Sequence, residues 1–303
     1  MAPSPREATP EFKEALDECA QLVDKALEKL LPETDLAEAR LYDAMRYGTM
    51  AGGKRLRPFL AIQSANLFNV DKARAKRVAA AIELVHSYSL IHDDLPAMDN
   101  APMRRGVPSV HKAYDEATAI LAGDALLTLA FEVLSEPETH EDPRVRIQLV
   151  NKLAVASGGH GMVGGQMLDL IGEEKEFDLG TISRLQRMKT GKLMAFACES
   201  GAILGKASEP QRRALVNYAF DLGLAFQVTD DVLDVEADPS VMGKPANQDE
   251  QASKSTFVST MGKEEAKSRA EMLINQATRH LNIFEGRGAM LRELTDYVLQ
   301  RRA

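Results

Sequence analysis

Cysteine is scarce in this chain of 303 residues, which has only Cys19 and Cys198. Both fall on helix-like stretches far apart in sequence, so we expect a reduced, cytosolic pair and no disulfide framework. The first twelve residues carry prolines and charges without an apolar core, which predicts no signal peptide. The most apolar stretch, residues 119–134, is interrupted by Gly123 and Asp124 and is too short to span a bilayer. We therefore expect a cytoplasmic protein with no stable membrane insertion.

Alternating runs rich in β-branched residues are missing, and so is any low-complexity linker or shift in composition. Apolar residues instead recur every three or four positions, as Phe12, Leu16, Cys19 and Leu22 do, which is the period of an α-helix. We predict an all-α chain without a sheet, folded as one domain over residues 1–303. Its long helices, with wide apolar faces, favour about ten helices packed around a central cavity.

The predicted helical segments are 12–30, 35–48, 58–68, 72–95, 111–135, 143–172, 178–205, 209–236, 263–284 and 288–301. Prolines fall between these segments or at their edges, where they do not disturb helical hydrogen bonding. Five glycines interrupt segment 143–172, and we interpret them as sites of close helix packing or a kink rather than of ligand contact. They are Gly158, Gly159, Gly161, Gly164 and Gly165.

Positive charge is not in excess: 37 Lys and Arg are set against 45 Asp and Glu, for a formal net charge of -8. This balance argues against a nucleic-acid or anionic-membrane binder. It does not exclude anionic small molecules, because local cations can dominate the field inside a cleft.

Two aspartate clusters each follow a strongly apolar helical run. They contain Asp93, Asp94 and Asp99, and then Asp230, Asp231 and Asp234. Asp230 and Asp234 share a helix face and would repel each other without a cation beside them. In the first cluster, Pro96 should end or bulge the helix and so turn Asp99 towards Asp93. Hard carboxylate oxygens predict magnesium, with waters and phosphate oxygens completing its shell. The alternative is a pair of solvated acidic helix ends.

Basic residues also occur in groups. These are Lys54, Arg55 and Arg57 beside Gly52 and Gly53, then Arg104 with Arg105, Lys189 with Lys192, and Lys244 and Lys254. Taken singly, each is typical of a solvated surface charge. Beside two magnesium-type clusters, together they predict a cleft for two diphosphates.

The ordered motifs closely resemble the short-chain trans-isoprenyl diphosphate synthases, and look most like the bacterial farnesyl diphosphate synthases. The resemblance covers residues 12–300. It rests on GGKRLRP at 52–58, HSYSLIHDDLPAMD at 86–99, RRG at 104–106, GDALL at 123–127, GQMLDL at 165–170, KTGK at 189–192, FQ at 226–227, DDVLD at 230–234, GK at 243–244 and KST at 254–256.

The resemblance implies the isoprenoid synthase fold, usually as a homodimer, and three Mg²⁺ ions with substrate bound. Lys54, Arg57, His86 and Arg105 match the positions that hold isopentenyl diphosphate, and Arg104, Lys189, Lys244 and Lys254 match those around the allylic diphosphate. Asp93, Asp99 and Asp230 match the principal metal ligands, whose shell Asp94, Asp231 and Asp234 would extend through waters. Thr190, Gln227 and the carbonyl of Lys189 match catalytic groups that face the allylic cation. Gln166 and Asp169 fall in a motif that lines the cavity, without an expected ligand role.

The implied reaction condenses isopentenyl diphosphate with dimethylallyl or geranyl diphosphate to give farnesyl diphosphate. One departure from the family pattern is the run Asn100-Ala101-Pro102-Met103, where further acids are common, and it predicts a weaker local field and a stiffer loop.

Tyr88 and Ser89 precede Asp93 by five and four residues and so lie about one turn deeper on the helix. From periodicity alone, Tyr88 is interpreted as an ordinary core aromatic. The resemblance instead implies that an aromatic ring at position 88 forms the floor that limits product length. The alternatives are a geranylgeranyl diphosphate synthase, a class I terpene cyclase and a non-catalytic partner subunit.

Overall fold

The structure, a computed structural model, describes residues 8–236 and 256–300. Its helices, numbered in chain order, are α1 (Pro10–Leu30), α2 (Ala39–Met50), α3 (Leu56–Asn66), α4 (Lys72–Asp93), α5 (Val110–Ala113), α6 (Glu116–Ser135), α7 (Pro143–Ser157), α8 (Met162–Glu174), α9 (Leu179–Gln186), α10 (Lys192–Leu204), α11 (Glu209–Glu236), α12 (Phe257–Met261), α13 (Lys263–His280) and α14 (Ala289–Gln300). A π-helical turn, Arg187–Gly191, joins α9 to α10, and a 3₁₀ segment, Leu281–Gly288, precedes α14. The predicted all-α fold is confirmed.

Several helices begin at a short polar side chain that accepts a backbone N–H of the first turn. This bond satisfies one of the donors that a helix leaves unpaired at its start. The residues that cap α1, α4, α6, α7 and α9 in this way are Thr9, Asp71, Asp115, Asp142 and Asp178.

Helix α4 lies at the centre of the bundle and packs against α1, α2, α3, α6 and α10. Its residues from Val78 to Val85 are all buried, on every side of the helix. A helix that is buried all round belongs in a core and not at a surface. The last turn of α4 therefore carries His92 and Asp93 out of the hydrophobic interior.

The glycine-rich part of predicted segment 143–172 is a break between two helices, α7 and α8. A Cβ on Gly161 would lie 2.7 Å from the carbonyl oxygen of Val155 and closer still to that of Ala156. A Cβ on Gly165 would come within 2.6 Å of the Cα of Lys189. These close backbone approaches fit the interpretation of the glycines as packing positions.

Three details differ from the predicted segments. Segment 111–135 is divided between α5 and α6 by two capping residues, Tyr114 after α5 and Asp115 before α6. The prediction of no sheet is wrong for four residues, because β1 (Met103–Arg104) pairs antiparallel with β2 (Val107–Pro108). Helix α12 was not predicted, since five residues are too few to show a helical period.

Helix α6 is long and apolar enough to cross a membrane, judged by length and composition alone, and is the one such helix among the residues described here. It has 20 residues and is therefore longer than the apolar stretch 119–134 that was judged too short from the sequence. One face, with Ala119, Ala122 and Leu126, is fully buried against neighbouring helices. The opposite face exposes Ile120 and Leu121.

Candidate active site

The first aspartate cluster forms at the end of α4, where Asp93 is the last helical residue. The chain then turns through Pro96, and the backbone N–H of Asp99 donates to the carbonyl oxygen of Asp93 at 2.9 Å. The predicted effect of Pro96 is confirmed, because Asp99 is carried back beside Asp93. Burial raises the pKa of Asp93 from 3.8 to about 6; Lys189 opposes this shift, and the charge of Asp99 adds to it.

Asp94 occupies a different environment from its neighbour. It is 2% exposed, and its carboxylate accepts from Arg104 Nε at 3.0 Å and Nη2 at 2.5 Å. Arg104 is delivered by β1, so this two-bond pair fixes the hairpin against the end of α4. In this geometry Asp94 pairs with an arginine, and its expected place in the metal shell through water stays a prediction.

The second cluster lies on α11, which places Asp230 on the wall of a cavity of ≈ 260 Å³. Asp231 is 7% exposed, and its carboxylate accepts the backbone N–H of Phe257 at 2.8 Å, at the start of α12. Asp234 is half-buried one turn further along α11. As with Asp94, this contact positions the Asp231 carboxylate, and its expected place in the metal shell stays a prediction.

The same cavity is lined by the π-helical turn between α9 and α10. Lys189 Nζ contacts Asp169 Oδ2 of α8 at 2.7 Å, and Thr190 Oγ1 donates to Gln227 Oε1 at 2.8 Å. A π-helical turn inserts an extra residue into a helix and is frequent at functional sites. Thr190 and Gln227, which were both predicted to face the allylic cation, are in direct contact.

Lys189 and Asp169 connect the two aspartate clusters. Both line the cavity that holds Asp230, and the charges of both affect the pKa of Asp93, which Lys189 lowers and Asp169 raises. The clusters on α4 and α11 thus border one electrostatically coupled region.

Arg57 and Arg105 lie beside His86 of α4, and we call these three residues the cation group. Arg57 Nη1 is 3.4 Å from His86 Nε2, while Arg57 Nε is buried without a hydrogen-bond partner. Burial, then the charges of Arg57 and Arg105, hold the pKa of His86 well below its usual range, so this imidazole is neutral. Arg105 donates to the carbonyl oxygen of Gly52, and a Cβ on Gly53 would meet the Arg105 guanidinium at 2.7 Å. Cations held this close suit a polyanionic ligand.

Residues 38–285 match the sequence model of the polyprenyl synthetase family. The chain belongs to the polyprenyl synthetase family. It is 42% identical to farnesyl diphosphate synthase of Escherichia coli over 298 residues, which cover 96% of this chain and 99% of that protein. It is also 38% identical to geranylgeranyl diphosphate synthase of Cyanophora paradoxa, over 94% of this chain and 95% of that protein.

Among solved structures, the chain is similar to an FPP/GFPP synthase from Zymomonas mobilis. The two share 47% identity with a TM-score of 0.88, over 95% of this chain and 99% of the other. These comparisons confirm the predicted family, the isoprenoid synthase fold and the transferase class of enzyme.

Other predicted residues of this polyprenyl synthetase make contacts of their own or lie outside the described residues. Lys54 is exposed, with Nζ 5.7 Å from the ring centroid of Tyr297 on α14. Ser89 Oγ donates to the carbonyl oxygen of His86 at 2.8 Å, which keeps its side chain against its own helix. Lys244 and Lys254 lie outside the described residues.

Tyr88 is 6% exposed and meets the His92 ring edge-on, with 5.7 Å between ring centroids. The His92 ring rests on α6, where a Cβ on Gly123 would come within 2.8 Å of its Cε1 atom. Burial, and then the charge of Asp93, raise the pKa of Tyr88 to about 12. Tyr88 is therefore a neutral, braced ring one turn deeper than the first aspartate cluster.

Two acidic residues near the predicted site, Glu83 and Asp169, had no role assigned to them from the sequence. Glu83 is a lone acid in the apolar run of α4, and it is 2% exposed in the structure. Asp169 was noted in a cavity motif, but its pairing with Lys189 was not predicted. A lone acid within a buried apolar run is the sequence signal that could have indicated Glu83, because such a group requires a partner.

The donor set fits magnesium. Asp93, Asp99 and Asp230 offer hard oxygens, and since burial and then the charge of Asp99 raise the pKa of Asp93, a bound cation would stabilise its charged form. Across residues 8–236 and 256–300, no group of three or more His, Cys, Asp or Glu side chains could by itself hold an ion. Magnesium needs only one or two carboxylates where substrate phosphates complete its octahedron.

Proposed function

We propose that this polyprenyl synthetase is a farnesyl diphosphate synthase that condenses isopentenyl diphosphate with dimethylallyl and then geranyl diphosphate. The proposal is supported by two separate polar regions, one against α4 and one a cavity whose carboxylates would bind a diphosphate through Mg²⁺. One is the Arg57–His86–Arg105 group, and the other is the cavity of Asp230 and Lys189. A condensing enzyme needs both regions, because each of its two substrates carries a diphosphate.

In this proposal Asp93, Asp99 and Asp230 hold Mg²⁺, with three ions in the loaded enzyme. The bound ions would neutralise charge on the departing allylic diphosphate. Asp94 orients Arg104 towards that group, and Asp231 anchors the start of α12. Asp234 would contribute through water. Lys244 and Lys254 are assigned to the allylic diphosphate by resemblance alone.

The chain's own groups then act in sequence. Lys189 and Arg104 bind the allylic diphosphate, whose carbon–oxygen bond breaks with the electron pair leaving on oxygen. Thr190 and Gln227 would present oxygen atoms towards the allylic cation, which must be kept from water that would quench it. Arg57, His86 and Arg105, joined by Lys54, hold isopentenyl diphosphate while its double bond forms the new carbon–carbon bond. The resulting cation loses a proton to the released diphosphate.

The product is proposed to stop at farnesyl because the buried Tyr88 ring, one turn deeper than Asp93, would block a longer chain, with Ser89 beside it. We also propose that the enzyme acts in the cytoplasm as a homodimer. The apolar face of α6 that exposes Ile120 and Leu121 supports a partner surface of this kind.

The function is tested by measuring diphosphate release from geranyl diphosphate with Mg²⁺, with and without isopentenyl diphosphate. A synthase should release diphosphate in proportion to the isopentenyl diphosphate consumed, and very little without it. Equal release in both assays would indicate a terpene cyclase. No release in either assay, from folded protein, would favour a non-catalytic partner subunit.

A further inference from the structure

Glu83 is an acid in the most deeply buried part of the molecule. It lies in α4 among Ile82, Leu84 and Val85, each of which is fully buried, and its own side chain is 2% exposed. It precedes His86 by three residues and so lies one turn below it on nearly the same helix face. A carboxylate at this depth is stable as an anion only when paired and hydrogen-bonded.

Arg55 supplies that pairing. Its Nη1 contacts Glu83 Oε1 at 2.5 Å, its Nε donates to Asp24 Oδ1 at 3.0 Å and its Nη2 donates to the carbonyl oxygen of Thr49 at 2.9 Å. The Arg55 side chain is 1% exposed, and each of its three nitrogens has an acceptor. Its backbone is left-handed, with φ of 47°, at the start of α3. Arg55 therefore points inward, although its neighbours Lys54 and Arg57 belong to the diphosphate-binding motif.

Arg57 and Arg105 lie within the field of the same acid. Burial lowers the pKa of both guanidinium groups, and the charge of Glu83 opposes that shift in each. Arg57 contacts His86, one turn above Glu83, and its buried Nε has no hydrogen-bond partner. If Arg55 were absent, Glu83 would be an unpaired buried anion close to two arginines with donors to spare.

We propose that Arg55 is a positioning residue for substrate binding: it occupies the Glu83 carboxylate and so keeps Arg57 and Arg105 free for an incoming diphosphate. The inference rests on the proposed function in taking that diphosphate to be isopentenyl diphosphate. It assigns different roles to the arginines of one motif, since Arg57 binds the ligand and Arg55 removes a competitor.

The test replaces Arg55 by methionine, an unbranched side chain that the left-handed backbone tolerates no worse than arginine. In Arg55→Met, Glu83 should pair with Arg57 or Arg105, and the KM for isopentenyl diphosphate should rise about tenfold. The KM for geranyl diphosphate should change less than about twofold, because the cavity proposed to bind it is lined by other helices and not by Arg57 or Arg105.

The double variant Arg55→Met/Glu83→Met separates this role from simple loss of an arginine. It removes the competing acid together with its partner, and such apolar replacement of a buried ion pair is often tolerated. The KM for isopentenyl diphosphate should return to within about threefold of the wild-type value. Arg46→Met is the matched control, since Arg46 on α2 bonds to the carbonyl oxygen of Leu31 and to Glu33, away from the cation group, and should change neither KM.

The inference is overturned if Arg55→Met leaves the KM for isopentenyl diphosphate unchanged, if both KM values rise equally, or if the double variant does not restore binding. If Arg55→Met fails to fold, Arg55→Lys is tested in its place. Lysine cannot reach all three acceptors, so the KM for isopentenyl diphosphate is expected to rise about threefold.

Calorimetric titration with inorganic diphosphate keeps the inference distinct from the proposed function. Affinity should fall in Arg55→Met and recover in the double variant even if the wild-type protein does not turn over isopentenyl diphosphate. Unchanged affinity in Arg55→Met would overturn the positioning role whatever reaction the enzyme performs.

Discussion

At the scale of single residues, the two Asp-Asp pairs divide in the same way. The first member of each pair, Asp93 or Asp230, is half-buried, and Asp230 lines the cavity. The second member, Asp94 or Asp231, is buried and bonded, to Arg104 in one case and to the backbone of Phe257 in the other. We therefore propose that neighbouring aspartates in one motif have separate roles, the first in metal binding and the second in positioning the chain.

This division predicts different consequences of substitution. Asp93→Ala and Asp230→Ala should each lower kcat by several orders of magnitude while the protein stays folded, because each removes a carboxylate that would anchor magnesium to the leaving group. Asp94→Ala should instead destabilise the fold by about 2 kcal/mol, since it leaves Arg104 without its buried partner. Steady-state kinetics and urea unfolding distinguish the two effects. Near-normal turnover in either Asp93→Ala or Asp230→Ala would contradict the metal assignment.

Product length is predicted to depend on the Tyr88 ring. Tyr88 is buried and braced edge-on by His92, so its ring cannot swing aside to admit a longer chain. Tyr88→Ala should therefore shift products towards geranylgeranyl diphosphate or longer, with metal dependence unchanged. Tyr88→Phe keeps the ring and is the matched control. An unaltered product profile in Tyr88→Ala would show that the floor lies elsewhere.

The position of Asp99 could be predicted from the sequence, whereas the contacts of Asp94 could not. The return of Asp99 to Asp93 follows from Pro96, because proline acts through its own backbone and is visible in local sequence. The different roles of Asp93 and Asp94 could not be predicted in this way. They depend on Arg104, which reaches the end of α4 only through the hairpin of β1 and β2.

At the scale of secondary-structure elements, the π-helical turn between α9 and α10 places Lys189 and Thr190 on the cavity wall. Helix α8 approaches this turn closely because Gly165 has no side chain there. The sequence indicated helix from 178 to 205 and close packing at the glycines. It did not indicate the π-helical turn, because an extra residue in one turn leaves the apolar period almost unchanged.

Gly165→Ala should displace the π-helical turn. The new Cβ would come within 2.6 Å of the Cα of Lys189, a backbone atom that cannot rotate away. We expect kcat to fall at least about tenfold, because a displacement near 1 Å at reacting groups can cost more than that. Gly159→Ala is the control, since a Cβ there meets nothing within 4 Å. Equal activities of the two variants would show that the approach of α8 does not position Lys189 and Thr190.

At the scale of the whole molecule, the helices form a bundle in which α4 supplies both the core and the first aspartate cluster. Helical period and motif order were enough to predict an all-α fold, because apolar residues recur at helical spacing along the chain. They did not predict the central place of α4, which depends on packing between helices. Helix α6 combines a fully buried face with exposed Ile120 and Leu121, at 44% and 58%. Apolar groups exposed on so apolar a helix favour a protein partner.

The proposed partner is a second copy of this chain. Leu121→Glu should convert a dimer into monomers, because burying the new carboxylate in an apolar interface is unfavourable. Sedimentation velocity of wild type and variant measures the mass directly. Met272→Glu, which changes a residue exposed to a similar extent on α13, should remain dimeric. A wild-type protein that is monomeric at micromolar concentration would contradict the proposed dimer.

The central claim is that two diphosphate-binding regions and two aspartate clusters join isopentenyl diphosphate to an allylic partner. Mass-spectrometric analysis of the products from dimethylallyl and isopentenyl diphosphates, with Mg²⁺ and with a chelator, tests it most directly. We predict farnesyl diphosphate as the main product with Mg²⁺ and no chain elongation with the chelator. Folded protein that forms no product five carbons longer than its allylic substrate in the presence of Mg²⁺ would contradict the claim.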